Sequence, residues 1–141
     1  MPINIFSKVK TPDCVPALFK KAASLGLGAA NARKSVNLIF TDGPGIRSLN
    51  RRFLGKDKVT DVIAFNFPPS PAPGATWGEI YICVPAAARQ ARGMGHSLVT
   101  ELLVLTMHGA LHLSGMDDDI AARRRRMNVK TAALLKRLSA R

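Results

Sequence analysis

The feature that most constrains this chain is a long apolar run, Leu98 to Leu113, that ends in two histidines. Apolar almost all the way round, the run reads as a central, buried helix. A helix advances about 100° and 1.5 Å per residue, so His108 and His112 share one face about 6 Å apart. That is the H-x-x-x-H spacing by which one helix offers two imidazoles to one metal ion. Gly115 then allows the backbone to leave the helix, because it takes positive φ without steric cost. Three acidic residues follow, Asp117, Asp118 and Asp119. A sharp turn at Gly115 brings one of these carboxylates back toward the same ion, and two nitrogens with one oxygen leave a coordination position free for water, as in catalytic zinc sites. Paired histidines are often only two polar residues on a helix face. Burial weakens that reading, because buried imidazoles need partners and a metal supplies both at once.

Charge narrows the partners. Twenty-one Lys and Arg against nine Asp and Glu give +12 over 141 residues, and the pI is near 10.7. A field of that sign attracts polyanions, with nucleic acid ahead of anionic membrane. Apolar residues make up 47%, enough for one globular domain over residues 1–141. No secretory leader opens the chain and no apolar run reaches membrane-spanning length, so a cytoplasmic protein that does not enter membranes is expected. Cys14 and Cys83 form no metal or redox motif and read as free thiols.

Taken in order, Ile3 to Phe6 predicts a short strand. A helix from Asp13 to about Leu25 follows, with Val15, Leu18, Phe19 and Ala22 inward and Gly26 and Gly28 at its end. Val36 to Phe40 predicts a strand. Thr41-Asp42 predicts an N-cap, with Pro44 in the first turn of a helix that carries Arg47, Arg51 and Arg52 and ends near Phe53. Gly55-Lys56-Asp57-Lys58 is a polar loop, Thr60 to Phe65 a strand, and the proline-rich stretch Pro68 to Gly74 an extended connection. Trp77 to Val84 lacks a polar face and predicts an interior strand. Pro85 opens a short helix to about Arg92, broken by Gly93 and Gly95 before the histidine-bearing helix begins near His96. A last helix runs from after Asp119 to about Leu138, with Leu134, Leu135 and Leu138 inward. Strands and helices mixed, then helices alone, predict an α+β fold without internal repeats.

The segment His108-Gly-x-Leu-His112-Leu-x-Gly115-x-Asp117 resembles the signature of the YbeY family, bacterial rRNA maturation factors described as single-strand-specific endoribonucleases. Further blocks resemble the same family in order and spacing. They are Leu49-Asn50 through Lys58, Thr60-Asp61-Val62-Ile63-Ala64-Phe65, Gly78-Glu79-Ile80-Tyr81-Ile82, His96-Ser97-Leu98 with Glu101 and Leu102, and Met127. Together they cover most of the chain from about Val36 onward.

The resemblance implies a zincin-like α+β architecture, with a small mixed four-stranded sheet packed with helices and one long central metal-bearing helix. It implies a zinc ion held by three histidines, a role in small-subunit rRNA 3′-end processing and ribosome quality control, and RNA, the small ribosomal subunit and ribosome-associated proteins as partners. Two positions depart from the family pattern. The third histidine, directly after Asp117, is Asp118 here, and the arginine after the aromatic of the Asn50-to-Phe53 block is Leu54. Zinc accepts a carboxylate oxygen at about 2.0–2.2 Å, so His108, His112 and Asp118 remain a working catalytic and metal-ligating set. An oxygen ligand also raises the odds of a different divalent ion. With Leu54 in place of arginine, phosphate charge falls to Arg51, Arg52, Lys56 or Lys58.

The expected chemistry is metal-assisted phosphodiester cleavage. Zinc peptidases carry Glu directly after the first histidine, and Gly109 in that position argues against a standard HExxH peptidase. No general base stands out. Asp117 or Asp119 are candidates, Asp117 reading equally as a cap of the last helix, and Glu101 reads as a supporting carboxylate about 10 Å along the axis from His108. The run Arg123 to Arg126 covers all sides of a helix, so it is first a solvated surface and second an RNA contact. Two readings stand beside the ribonuclease: a ribosome-associated RNA-binding factor with weak or lost cleavage, and a metallohydrolase on another substrate.

Overall fold

The computed structural model describes residues 3–12 and 15–139. Among these, the elements run β1 (Ile3–Ser7), α1 (Pro16–Leu27), β2 (Val36–Thr41), α2 (Gly43–Leu54), β3 (Val62–Asn66), β4 (Gly78–Cys83), α3 (Val84–Met94), α4 (Leu98–Leu113) and α5 (Ala121–Ser139). The strands form one mixed sheet in the order β1-β2-β4-β3. β1 with β2 and β2 with β4 are parallel, and β3 runs antiparallel on the edge beside β4. The α+β expectation holds, and β4 is interior as expected.

Alternation sorts the sheet into two unlike faces. Ile3, Val36, Leu38, Phe40, Ile80 and Ile82 are buried in the main core with Phe19 of α1 and Leu102, Leu105, Met107 and Ala110 of α4. The opposite face carries a smaller cluster in which Ile63 and Cys83 meet Ile46 of α2 and Ala86 of α3. The rest of that face is polar. Asn4 Nδ2 donates to Asn37 Oδ1 (3.4 Å), Asn37 Nδ2 to Glu79 Oε2 (2.9 Å), and the Tyr81 hydroxyl to Glu79 Oε1 (2.8 Å).

α4 lies at the centre of the packing, against α1, α3, α5, β3 and β4. Ser97 caps it, its Oγ accepting from Thr100 N–H at 3.1 Å. Two glycines set how closely it is held. A Cβ on Gly109 would stand 2.5 Å from Ile80 Cγ2, and one on Gly26 would stand 2.6 Å from Ala110 Cβ. The helix thus touches the sheet through one glycine and α1 through another. No described helix is long and apolar enough to cross a membrane.

Several boundaries differ from the sequence reading. α1 begins at Pro16, and Asp13 and Cys14 lie outside the described residues. Val15 precedes the helix and is exposed, so the inward stripe starts at Leu18 and Phe19. Gly26 does not end α1. It is helical and buried, chosen for its contact with α4, and Gly28 with φ +78° makes the exit. Gly93 is likewise helical, and Gly95 with φ +72° terminates α3. Asp42 caps α2 as expected, accepting from Gly45 N–H at 2.8 Å.

Substituting Gly109→Ala is expected to lower unfolding free energy by about 1–3 kcal/mol through overpacking against Ile80. Urea denaturation measures it, and Gly93→Ala, whose Cβ meets nothing within 4 Å, serves as the control that does not destabilise.

Candidate active site

The burial of α4 leaves one stripe half open. Glu101 to Leu103, Leu105 to Met107, Gly109 to Leu111 and Leu113 are buried, whereas Val104, His108 and His112 are only partly so. These three recur at i, i+4 and i+8 on one face. Gly109 faces the sheet, where the Ile80 contact leaves no room for any side chain. A carboxylate in the position used by HExxH peptidases is therefore excluded by packing.

The end of α4 is tightly tied. Asn66 Nδ2 donates to Leu113 O (3.3 Å), and the Ser114 hydroxyl reaches Gly26 O (3.2 Å). Gly115 adopts φ +108°, and Met116 N–H donates back to Leu111 O (3.0 Å). Only glycine takes that φ readily, and the reversal it allows returns the chain toward the helix. As a result Asp118 Oδ1 stands 3.3 Å from His112 Nε2. His112 and Asp118 line a cleft of about 290 Å³ whose other walls include Asn50, Leu54, Lys56, Lys58 and Asp61. His108 sits one turn earlier on α4. Burial lowers its pKa below the ordinary histidine value, against the raising pull of the Asp61 and Asp118 carboxylates, so its imidazole is held toward the neutral form. Among the described residues, no three His, Cys, Asp or Glu side chains are gathered at ligating distance around one point.

The basic residues divide. Lys56 and Lys58 line the cleft. Arg51 and Arg52 stand outside its lining. Arg51 Nη1 is 3.7 Å from Asp57 Oδ1, and Arg52 lies over the Phe53 ring, 5.6 Å from its centroid. The lysine loop is built by Gly55, left-handed at φ +69°, and by Asn50. Asn50 O accepts from Lys56 N–H (3.3 Å) and Asn50 Nδ2 donates to Lys58 O (3.1 Å), so one buried residue holds both lysines' backbone. Arg47 grips Asp57 with two hydrogen bonds, 2.8 and 3.1 Å, and the guanidinium holds that carboxyl below its usual range. Leu54 takes the cleft wall where the resemblance expects an arginine.

Asp61 and Asn50, named only within the blocks that carry the resemblance, were assigned no role from the sequence. Asp61 Oδ1 accepts from Val62 N–H (2.8 Å) and Oδ2 from Gln90 Nε2 (3.0 Å), fixing a carboxylate in the cleft wall within electrostatic reach of His108. An aspartate opening an otherwise apolar strand was the available signal. Glu101, buried to 3% exposure, takes His96 as its partner (Nε2 to Oε1, 2.7 Å). Asp119 is turned outward to Arg123, both oxygens at 3.0 Å. Asp117 does not cap α5. The Ile120 carbonyl takes that helix's first bond, from Arg124 N–H at 2.9 Å, and Asp117 lies in a shallow groove with Arg123 and Arg126.

Several of the residues that carry the resemblance, Asn50, Lys56, Lys58, Asp61 and His112 among them, line one cleft, and comparison with known proteins agrees. The family model described as endoribonuclease YbeY matches residues 7–139. This chain belongs to the YbeY family. Among its relatives called endoribonuclease YbeY, that of Elusimicrobium minutum is 40% identical over 140 residues, covering 96% of this chain and 98% of the relative. That of Chlorobaculum tepidum is 37% identical over 140 residues, covering 98% of each. The solution structure of TM1509 from Thermotoga maritima superposes with a TM-score of 0.67 at 27% identity, covering 96% of this chain and 88% of that one.

The Glu101 pairing gives a direct test within this YbeY-family fold. His96→Ala leaves a buried carboxylate without its partner and is expected to cost about 1–3 kcal/mol. Thermal and urea unfolding measure it. The double variant His96→Ala/Glu101→Gln should recover part of the loss, because the neutral amide is cheaper to bury than the orphaned charge.

Proposed function

We propose that this chain is a metal-dependent endoribonuclease that cuts single-stranded RNA during rRNA maturation in the cytoplasm, acting at the 3′ end of small-subunit rRNA and in ribosome quality control. The observation that carries the reading is the cleft itself. A His112–Asp118 pair at 3.3 Å shares it with two lysines, in a chain whose family model spans residues 7–139. RNA of the small ribosomal subunit is the substrate class, with ribosome-associated proteins as neighbours.

The donor chemistry fits a divalent ion. His108, His112 and Asp118 supply two imidazole nitrogens and one carboxylate oxygen, a set zinc accepts. The tendency of His108 toward the neutral form leaves its lone pair free for a metal or a proton. Held by these residues, a zinc ion would supply Lewis-acid polarisation and a nucleophile at neutral pH. The protein's own groups do the rest. Lys56 and Lys58 bring positive charge to the phosphate, on a loop kept in place by Asn50 and by the Arg47–Asp57 pair. Arg51 and Arg52 extend the positive field beyond the cleft and act on flanking phosphates. Asp61, locked by Val62 N–H and Gln90, holds a negative charge near His108 that favours a cation in the cleft.

One observation favours a second reading, an RNA-binding factor with weak cleavage. Leu54 puts an apolar side chain on the cleft wall, where it offers a developing phosphate charge nothing.

Chelator separates the two. Native protein is expected to carry zinc, to cut single-stranded RNA, and to lose cleavage in chelator and regain it with zinc. RNA binding without cutting, with metal present, favours the second reading. Elemental analysis is expected to show less zinc in Asp118→Ala and His112→Ala, and more zinc with faster turnover in Asp118→His. Equal metal in Asp118→Ala and native protein removes Asp118 from the ligand set. RNA affinity should fall steeply with salt, and Lys56→Ala or Lys58→Ala should flatten that dependence by about one phosphate contact each.

A further inference from the structure

The cleft does not end where its lining does. β3 lines it with Val62, Ile63 and Ala64, and the same strand continues directly to Phe65 and, just beyond its end, Phe67. On the other side of the cleft Leu54 is followed back along α2 by Phe53. The three rings meet. Phe65 lies 4.9 Å from Phe53 and 6.3 Å from Phe67, centroid to centroid, and 5.7 Å from Tyr81. Phe65 is the half-buried middle member. Phe53 and Phe67 remain 51% and 36% exposed. The outer rings are supported from within yet remain partly exposed to solvent.

The charges around this patch are selective. Arg52 lies over Phe53 and, unlike Arg47 and Arg51, makes no ion pair with a carboxylate among the described residues. Lys56 and Lys58 follow on the adjoining loop. The acid on this side of the sheet, Glu79, already accepts from Tyr81 and Asn37. An exposed aromatic pair bordered by unpaired cations suits a ligand that alternates flat π-faces with phosphates.

We propose that Phe53 and Phe67, braced by Phe65, form a stacking platform for unpaired bases of the RNA strand as it leaves the His112–Asp118 cleft, with Arg52 on the accompanying phosphate. The platform rests on the RNA reading above and adds to it a physical basis for single-strand preference. Stacking on protein rings needs a free base face, which a duplex hides, and it tolerates any base.

The test is fluorescence anisotropy on the full chain with a short labelled single-stranded RNA and an abasic ribose-phosphate strand of equal length. Phe53→Ala and Phe67→Ala are each expected to weaken RNA binding about five-fold or more, and to leave abasic-strand binding unchanged. Phe53→Tyr should retain affinity and Phe53→Leu should lose it, which decides the matter even if an alanine variant melts early. Unchanged RNA affinity in the variants, equal loss on both strands, or full affinity in Phe53→Leu overturns the platform and leaves the RNA reading standing. Unchanged RNA affinity together with lost self-association in sedimentation assigns the rings to a second copy of this chain and also overturns it. Wild-type protein that binds neither strand defeats the RNA reading, and the platform with it.

Discussion

The contact on which the rest depends is between α4 and the sheet at Gly109. A helix normally keeps a side chain's thickness from a sheet. Here Ile80 fills the space a Cβ would occupy, so α4 lies unusually close, and Gly26 permits the same approach from α1 on another side. Such burial removes water from most of the helix and, past its first turn, leaves only the stripe of Val104, His108 and His112 partly open. The histidines are presented by default, because over the last three turns the other directions are occupied. Dense packing also makes their placement stiff, and this is what a site built on two imidazoles from one helix requires.

Electrostatics follow from that placement. His108 is deep enough for desolvation to pull it toward neutrality, and the Asp61 and Asp118 carboxylates oppose the pull without overcoming it. Cations are kept at the rim, where Lys56 and Lys58 remain hydrated. The carboxylates nearest the histidines are individually restrained, Asp61 by Val62 N–H and Gln90 and Asp118 by His112. The cleft is therefore a small acidic and imidazole centre inside a strongly basic domain, an arrangement that attracts polyanions from afar yet concentrates electron-pair donors at its floor.

Much of this was legible in the residues. The apolar run with its two histidines, the cap at Asp42, the glycine turn at Gly115 and the polar loop at Gly55 are local signals, and local chemistry decided each. The interior position of β4 was anticipated too, although not for the reason given, since Glu79 and Tyr81 do form a polar face whose groups are satisfied by one another and by Asn37. Besides Val15, the misreadings were at Gly26 and Gly93, read as breaks although both are helical. Local propensity sees the lost Cβ, whereas the partner that demands its absence, Ala110 in the case of Gly26, lies far along the chain. Asp61 and Asn50 were assigned no role for a similar reason. Their meaning lies in what they hold, Gln90 and the lysine loop, and no periodicity reports it. The turn at Gly115 anticipated that one of the three carboxylates would come back toward His112, and the resemblance pointed to Asp118, but the division of the basic residues between Lys56 and Lys58 in the cleft and Arg51 and Arg52 outside it depends on how α2 is rotated, which only packing decides.

The parallel pairing of β2 with β4 also has a bearing on how the chain assembles. Asn37 and Glu79 touch across 42 positions, and Asn4 and Asn37 across 33, so the middle of the sheet closes only after long loops have been drawn in. Such topology folds slowly compared with hairpins and bundles. During synthesis all four strands and α1 emerge before α4, so the inner face of the sheet has no central helix to bury against until residues 98–113 follow. The apolar side of the sheet must then wait, exposed, for the helix that covers it, a window in which a partly folded chain is prone to aggregate.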